Sequence, residues 1–260
     1  MTIAAERWQG AGNVYLLVDA ATLPRPLDPD LVRRIGAALG GDGILELSRA
    51  GASDVAMRIW NPDGSESEAC GNGTRMVARW LAEQTGQGEV RIATVAGILD
   101  CAVHGERVTA TLAPARLDGP QYRPTDDPFP YDHTFVSVGN PHVVIPVDDL
   151  EGFPLAEVGA TLEHHPWLPE RANIEIAVPV DRHRVRMRVW ERGVGLTPAC
   201  GTGACAVAVA AVARGTADSP VVVELPGGEL EIEVGEGGAV RMTGPAERIE
   251  HVEIPAELFG

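Results

Sequence analysis

Two stretches of the chain carry helical apolar patterns, and they differ in kind. From about Gly73 to Thr85, Met76, Val77, Trp80 and Leu81 fall on one face of a 3.6-residue period, and Gly86 can end the helix. From about Gly203 to Arg214 the residues are Ala and Val nearly all round, with Gly215 as the stop. A helix apolar on every side is buried on every side. Strand-like segments lead into both: Val55 to Trp60 and Val185 to Trp190 each run toward a Gly-rich turn that carries a cysteine. Further apolar runs span Val14 to Val18 and Val143 to Val147, and Pro226-Gly227 sets a turn between Val221 to Leu225 and Gly228 to Val234. An all-round apolar helix set among strands predicts a sheet curled around a central helix. The Pro-rich stretch from Pro114 to Pro130, with Tyr122, Asp126 and Asp127, reads as a linker.

The pattern occurs twice. Met57-Arg58-Ile59-Trp60 returns as Met187-Arg188-Val189-Trp190, a shift of 130 residues. Ala69-Cys70-Gly71-Asn72-Gly73 returns as Ala199-Cys200-Gly201-Thr202-Gly203 at the same shift, and Gly12-Asn13 returns as Gly139-Asn140 at 127. A period of half the chain is a duplicated domain and not a solenoid. The expected architecture is mixed α/β: an internal duplication into two similar domains, residues 1–118 and 119–245, related by a pseudo-twofold axis. The tail, 246–260, is expected to pack back on the first.

Composition narrows the chemistry. The 260 residues are 45% hydrophobic and 22% charged, a globular balance. Thirty-seven acids against 21 bases give a net charge of −16, which argues against nucleic acid or an anionic membrane as partner. All the bases are Arg; without Lys there is no Schiff base to pyridoxal phosphate, no lysine aldol chemistry and no Walker A loop. The longest apolar run, Ala204 to Ala213, has ten residues where a membrane span needs about 20. No targeting signal is visible, and Cys70, Cys101, Cys200 and Cys205 show no CxxC spacing, so a cytoplasmic protein with free thiols and no metal site is expected. Cys101 and Cys205 read as inert packing, and His164-His165 as surface residues.

Cys70 and Cys200 each stand just before a helix. The first-turn N–H groups lack internal partners and the helix dipole is positive there, which should draw a thiol's pKa down and seat an anion. Two structural thiols would explain the cysteines taken singly. A matched pair, brought together by the pseudo-twofold axis, points instead to one thiolate taking a proton from a carbon while the opposite thiol delivers one to its other face. Such a pair inverts a stereocentre with no cofactor. Thiols that share one carbon also approach disulfide reach, so oxidation is expected to inactivate by linking them.

With these features the sequence resembles the diaminopimelate epimerase family, the two-cysteine epimerases that work without pyridoxal phosphate. The resemblance runs nearly the whole chain. It is carried by Gly10-Ala11-Gly12-Asn13, Asn61-Pro62-Asp63-Gly64-Ser65-Glu66, the two cysteine turns, Gly139-Asn140-Pro141-His142, Asn173, Glu191-Arg192-Gly193 and Met242-Thr243-Gly244-Pro245. It implies Cys70 and Cys200 as the acid–base pair, with His142 and Glu191 tuning their ionisation. It implies Gly71-Asn72 and Gly201-Thr202 as the hold on the α-carboxylate. Asn13, Asn61, Asn140, Asn173 and Arg192 would grip the rest of an amino-acid substrate, and a homodimer is common in the family. Val14-Tyr15, the segment Arg33 to Gly43 and Gly195 to Pro198 depart from the family's usual pattern. They leave a racemase for another amino acid as the alternative, ahead of a non-catalytic amino-acid-binding protein.

Overall fold

The computed structural model describes residues 2–49, 51, 54–67, 71–95, 97–117 and 130–260. It divides into two compact units, one made of residues 1–110 with 244–260, the other of 111–243.

In the first unit the strands are β1 (Thr2–Gly10), β2 (Asn13–Asp19), β3 (Gly43–Ser48), β4 (Val55–Trp60), β5 (Glu66–Ser67), β6 (Glu89–Thr94), β7 (Gly97–His104) and β8 (Arg107–Thr111). Helix α1 (Pro29–Leu39) joins β2 to β3, and α2 (Gly71–Thr85) joins β5 to β6. The strands pair in the order β1, β2, β3, β4, β6, β7, β8, parallel at β2–β3 and β4–β6 and antiparallel elsewhere. α1 begins where Asp28 Oδ1 accepts the Leu31 N–H at 2.9 Å, with Pro29 at its first position. It buries Leu31, Val32 and Ile35 against Leu16, Val18, Ile44 and Trp60 on one face of the strands. α2 lies on the other face, its Met76, Val77, Ala78 and Leu81 packed with Leu17, Leu45, Met57, Ile59, Val90 and Ile92.

The second unit repeats this order. Its strands are β9 (Thr134–Ser137), β10 (Pro141–Pro146), β11 (Asn173–Asp181), β12 (Arg184–Glu191), β13 (Gly195–Thr197), β14 (Val221–Leu225), β15 (Gly228–Val234) and β16 (Val240–Pro245), with helices α3 (Leu155–Glu163) and α4 (Gly201–Ala213). They pair as β9, β10, β11, β12, β14, β15, β16, again parallel at the second and fourth junctions. α4 touches β9, β10, β11, β12, β14 and β15, and Ala204 through Ala211 are all buried. The expected sheet curled around a central helix is therefore present in each unit. Register makes the copies comparable residue by residue: Tyr15 pairs with Gly43 as His142 pairs with Asn173, and Leu45 pairs with Ile59 as Glu175 pairs with Val189.

Several sequence expectations need adjustment. Both central helices begin two residues before their apolar pattern, because Gly71-Asn72 and Gly201-Thr202 carry no periodicity. Helix α3 is hidden by Gly159 at its centre; a Cβ there would come within 2.5 Å of the Trp190 ring that packs on it. The expected linker is only partly described, since 118–129, with Tyr122, Asp126 and Asp127, lie outside the described residues. Its earlier residues are bonded into the second unit, through Leu112 N–H to Val240 C=O at 3.0 Å and Ala115 N–H to Gly238 C=O at 2.7 Å. The tail forms β17 (Glu247–Pro255), antiparallel to β1, so the first unit is closed by the last residues of the chain. Among the described residues no helix is long and apolar enough to cross a membrane.

Cys101 lies in the first core, 2% exposed, and burial pushes its thiol from near 9 to about 12. The folded chain then keeps a proton that the unfolded chain has released, so folding stability falls as pH rises from about 9 to 12. Cys101→Ala is expected to remove about 1.4 kcal/mol per pH unit of that slope, read from urea unfolding across the range. Parallel slopes in the two proteins would contradict the assignment.

Candidate active site

In the first unit, a chain of polar side chains runs from the start of α2 to the start of β2. Arg75 is fully buried, and Asn72 is 2% exposed. The guanidinium donates to Asn72 Oδ1 at 2.7 Å, to the Gly71 carbonyl at 3.2 Å and to the Pro245 carbonyl at 3.3 Å. Asn72 Nδ2 donates to Asn13 Oδ1, and Asn13 Nδ2 reaches Asp42 Oδ2 at 3.4 Å. Asp42 also accepts the Val14 N–H at 2.7 Å. A guanidinium only donates and a carboxylate only accepts, so the two ends fix which way both carboxamides face. Asn61 is engaged elsewhere: it closes the turn between β4 and β5, donating from Nδ2 to Ser65 Oγ at 2.9 Å. Cys70 lies outside the described residues.

In the second unit, Cys200 is the residue that caps α4, 6% exposed, with Sγ 3.6 Å from Thr202 Oγ1. Glu191, at the end of β12, accepts a hydrogen bond from Thr197 of β13 and hydrogen-bonds with Cys200. Behind them Thr202 Oγ1 accepts from Asn140 Nδ2 at 3.4 Å, and Asn140 Oδ1 lies 3.0 Å from His142 Nε2. The other imidazole nitrogen, Nδ1, donates to Glu175 Oε1 at 2.7 Å. The side chains of His142 and Glu175 are fully buried.

The thiol's ionisation departs from expectation. The helix terminus was expected to draw Cys200 down, and it does contribute, through the Gly203 N–H. Burial outweighs it, and the charges of Glu191 and Glu175 add to burial, so the Cys200 pKa rises well above the ordinary thiol value. Glu191 is likewise raised, by burial first, against its bonds from Thr197 and Cys200. At neutral pH the Cys200 thiol therefore keeps its proton.

Asn173 and Arg192 form a separate group. Asn173 Oδ1 accepts the Arg192 N–H at 2.9 Å and Nδ2 donates to the Pro141 carbonyl at 3.2 Å, while Arg192 Nη1 donates to the Glu170 carbonyl at 3.0 Å. Arg75, Asp42, Thr197 and Glu175 were not read from the sequence as site residues. The duplication held the signal for two of them: Arg75 falls opposite Cys205 at the 130-residue shift, and Glu175 falls opposite Leu45.

The family described as diaminopimelate epimerase matches residues 8–117 and 134–249. The diaminopimelate epimerase of Rhodospirillum centenum is 43% identical over 255 residues, covering 92% of this chain and 88% of the relative. That of Pseudomonas entomophila is 39% identical, covering 96% and 98%. Among solved structures, a phenazine biosynthesis protein of the PhzF family from Bacillus anthracis superposes with a TM-score of 0.71 at 18% identity, over 98% and 99% of the two chains. A hydroxyproline epimerase from Agrobacterium vitis gives 0.71 at 16%, over 97% and 91%. These structural likenesses show the fold. The sequence match, which spans most of the chain in two segments, shows that it belongs to the diaminopimelate epimerase family.

Proposed function

We propose that the protein converts LL-diaminopimelate to meso-diaminopimelate without a cofactor, with Cys70 and Cys200 as its acid–base pair. The observation that carries this reading is the setting of Cys200: a buried thiol, held protonated beside Glu191 at the N-terminus of α4, in a chain whose curated relatives bear that enzyme's name.

The Cys70 thiolate takes the α-proton. The C–H electron pair stays on carbon, delocalised toward the α-carboxylate. The Cys200 S–H then delivers its proton to the opposite face, which leaves the thiolate on Cys200. Exchange with water restores the starting protonation. The backbone N–H groups at Gly71-Asn72 and Gly201-Thr202 hold the carboxylate, where two helix termini oppose the charge that develops on it. Asn13, Asn61, Asn140, Asn173 and Arg192 hold the rest of the substrate, and His142 with Glu191 sets the protonation of the thiols. On the same resemblance the enzyme is a cytoplasmic homodimer.

Turnover of LL-diaminopimelate in D₂O tests the reading. Meso product should carry deuterium at the inverted carbon from the first turnovers, by NMR and chiral chromatography. Cys70→Ala and Cys200→Ala should each lower kcat/KM by at least ~10²-fold, the lower range for a positioned proton-transfer group, with folding retained. No exchange by folded, reduced protein, together with turnover of a different amino acid, would move the assignment to that substrate. Gly203→Ala is a second test. Its Cβ would stand 2.8 Å from Glu175 Oε1 and 3.3 Å from Cys200 Sγ, so both groups must shift. Turnover should fall by about 10²-fold while circular dichroism is unchanged; native turnover would show that the thiol's placement is not critical.

A further inference from the structure

The two copies make the same sheet and helix, but they do not make the same floor beneath the helix N-terminus. In the first unit the register positions under α2 hold Tyr15 and Leu45, both part of the apolar core. In the second they hold His142 and Glu175, both fully buried and bonded to each other at 2.7 Å. The fold is therefore complete without this polar pair, as the first copy shows. The pair is also costly. Burying a carboxylate against an imidazole returns little stability for its desolvation, and Glu175 Oε2 has no hydrogen-bond partner among the described residues. The backbone makes room for it: Gly203 stands where any side chain would press on Glu175 Oε1 and Cys200 Sγ. The pair lies along one line of contacts, from Glu175 through His142 and Asn140 to Thr202, whose hydroxyl is beside the Cys200 thiol.

We propose that Glu175 is a positioning residue of the epimerisation. By accepting the His142 Nδ1–H it fixes the imidazole so that Nε2 faces Asn140, and thereby orders the Asn140–Thr202 pair against Cys200. A hydrogen-bonded carboxylate behind a histidine settles both its tautomer and its ring orientation. This rests on the epimerase reading above, because the step that Glu175 supports is proton delivery by Cys200.

The test uses the full-length protein with two substitutions, Glu175→Gln, which keeps shape and removes charge, and Glu175→Leu, which restores the residue of the first copy. Steady-state kinetics on LL-diaminopimelate and ¹⁵N–¹H spectra of labelled histidine side chains are recorded for each, with His142→Asn to assign the His142 signals. For Glu175→Gln, kcat should fall roughly 10-fold with KM within about twofold, the lower end of what loss of a supporting hydrogen-bond partner gives. For Glu175→Leu the fall should approach ~100-fold, and the Nδ1–H resonance of His142 should vanish. Native kcat in folded Glu175→Gln would overturn the proposal. So would a fall in kcat with the His142 resonance of Glu175→Leu unchanged, since that would place the effect elsewhere than on the imidazole. If the native protein does not turn over diaminopimelate, the epimerase reading fails, and the spectra still decide whether Glu175 holds the ring.

Discussion

Helix α4 has no polar face, and most of what the second unit does follows from enclosing it. Ten of its thirteen residues are buried, and six strands wrap it to achieve this. Enclosure seals the flanks of the helix and leaves its N-terminus as the place where unpaired N–H groups meet whatever the neighbouring loops present. Cys200 sits there, inside the envelope of apolar contacts. Its ionisation is consequently set by exclusion of water more than by the helix dipole, and the thiol is held protonated.

Duplication supplied two central helices at corresponding places, and the copies carry different polar surroundings. At corresponding positions the first copy has a buried Arg75 and the second Cys205; the first has Leu45, Tyr15 and Asn61 where the second has Glu175, His142 and Glu191. A buried guanidinium thus lies near the start of α2, and the carboxylates of Glu175 and Glu191 lie near Cys200 at the start of α4. A reaction that removes a proton with one thiol and supplies one with the other needs its two thiols in different protonation states. Divergence of charge within a common backbone is a direct way for one chain to build both.

The fold was largely legible because it is written in repeats and periods. The apolar Ala-Val helix, the strands before each cysteine turn and the matched motifs at one offset together imply two sheets around two helices. The cysteine turns stood out in the sequence because glycines follow a cysteine just ahead of a helical pattern in both copies. What escaped was polar residues buried by tertiary contact. Glu175 sits in an apolar strand where one charged residue looks like an outward-facing position, and only the pairing of β10 with β11 brings it to His142. Arg75 looks like a surface arginine of an amphipathic helix until the Asn72 carboxamide and the Gly71 carbonyl are seen to occupy its donors. The thiol's pKa was misjudged for the same reason. A sequence shows the helix terminus, whereas desolvation and the nearby carboxylates of Glu191 and Glu175 exist only in the folded chain.

The central claim is that enclosure and the nearby carboxylates of Glu175 and Glu191 hold Cys200 protonated. The most direct measurement is the rate of Cys200 alkylation by iodoacetamide in the native protein across pH, followed by mass spectrometry of its peptide. The account predicts little modification at pH 8 to 9, where an ordinary thiol with pKa of about 8.5 is substantially ionised, and a midpoint displaced to higher pH. A midpoint at or below the ordinary value would contradict it.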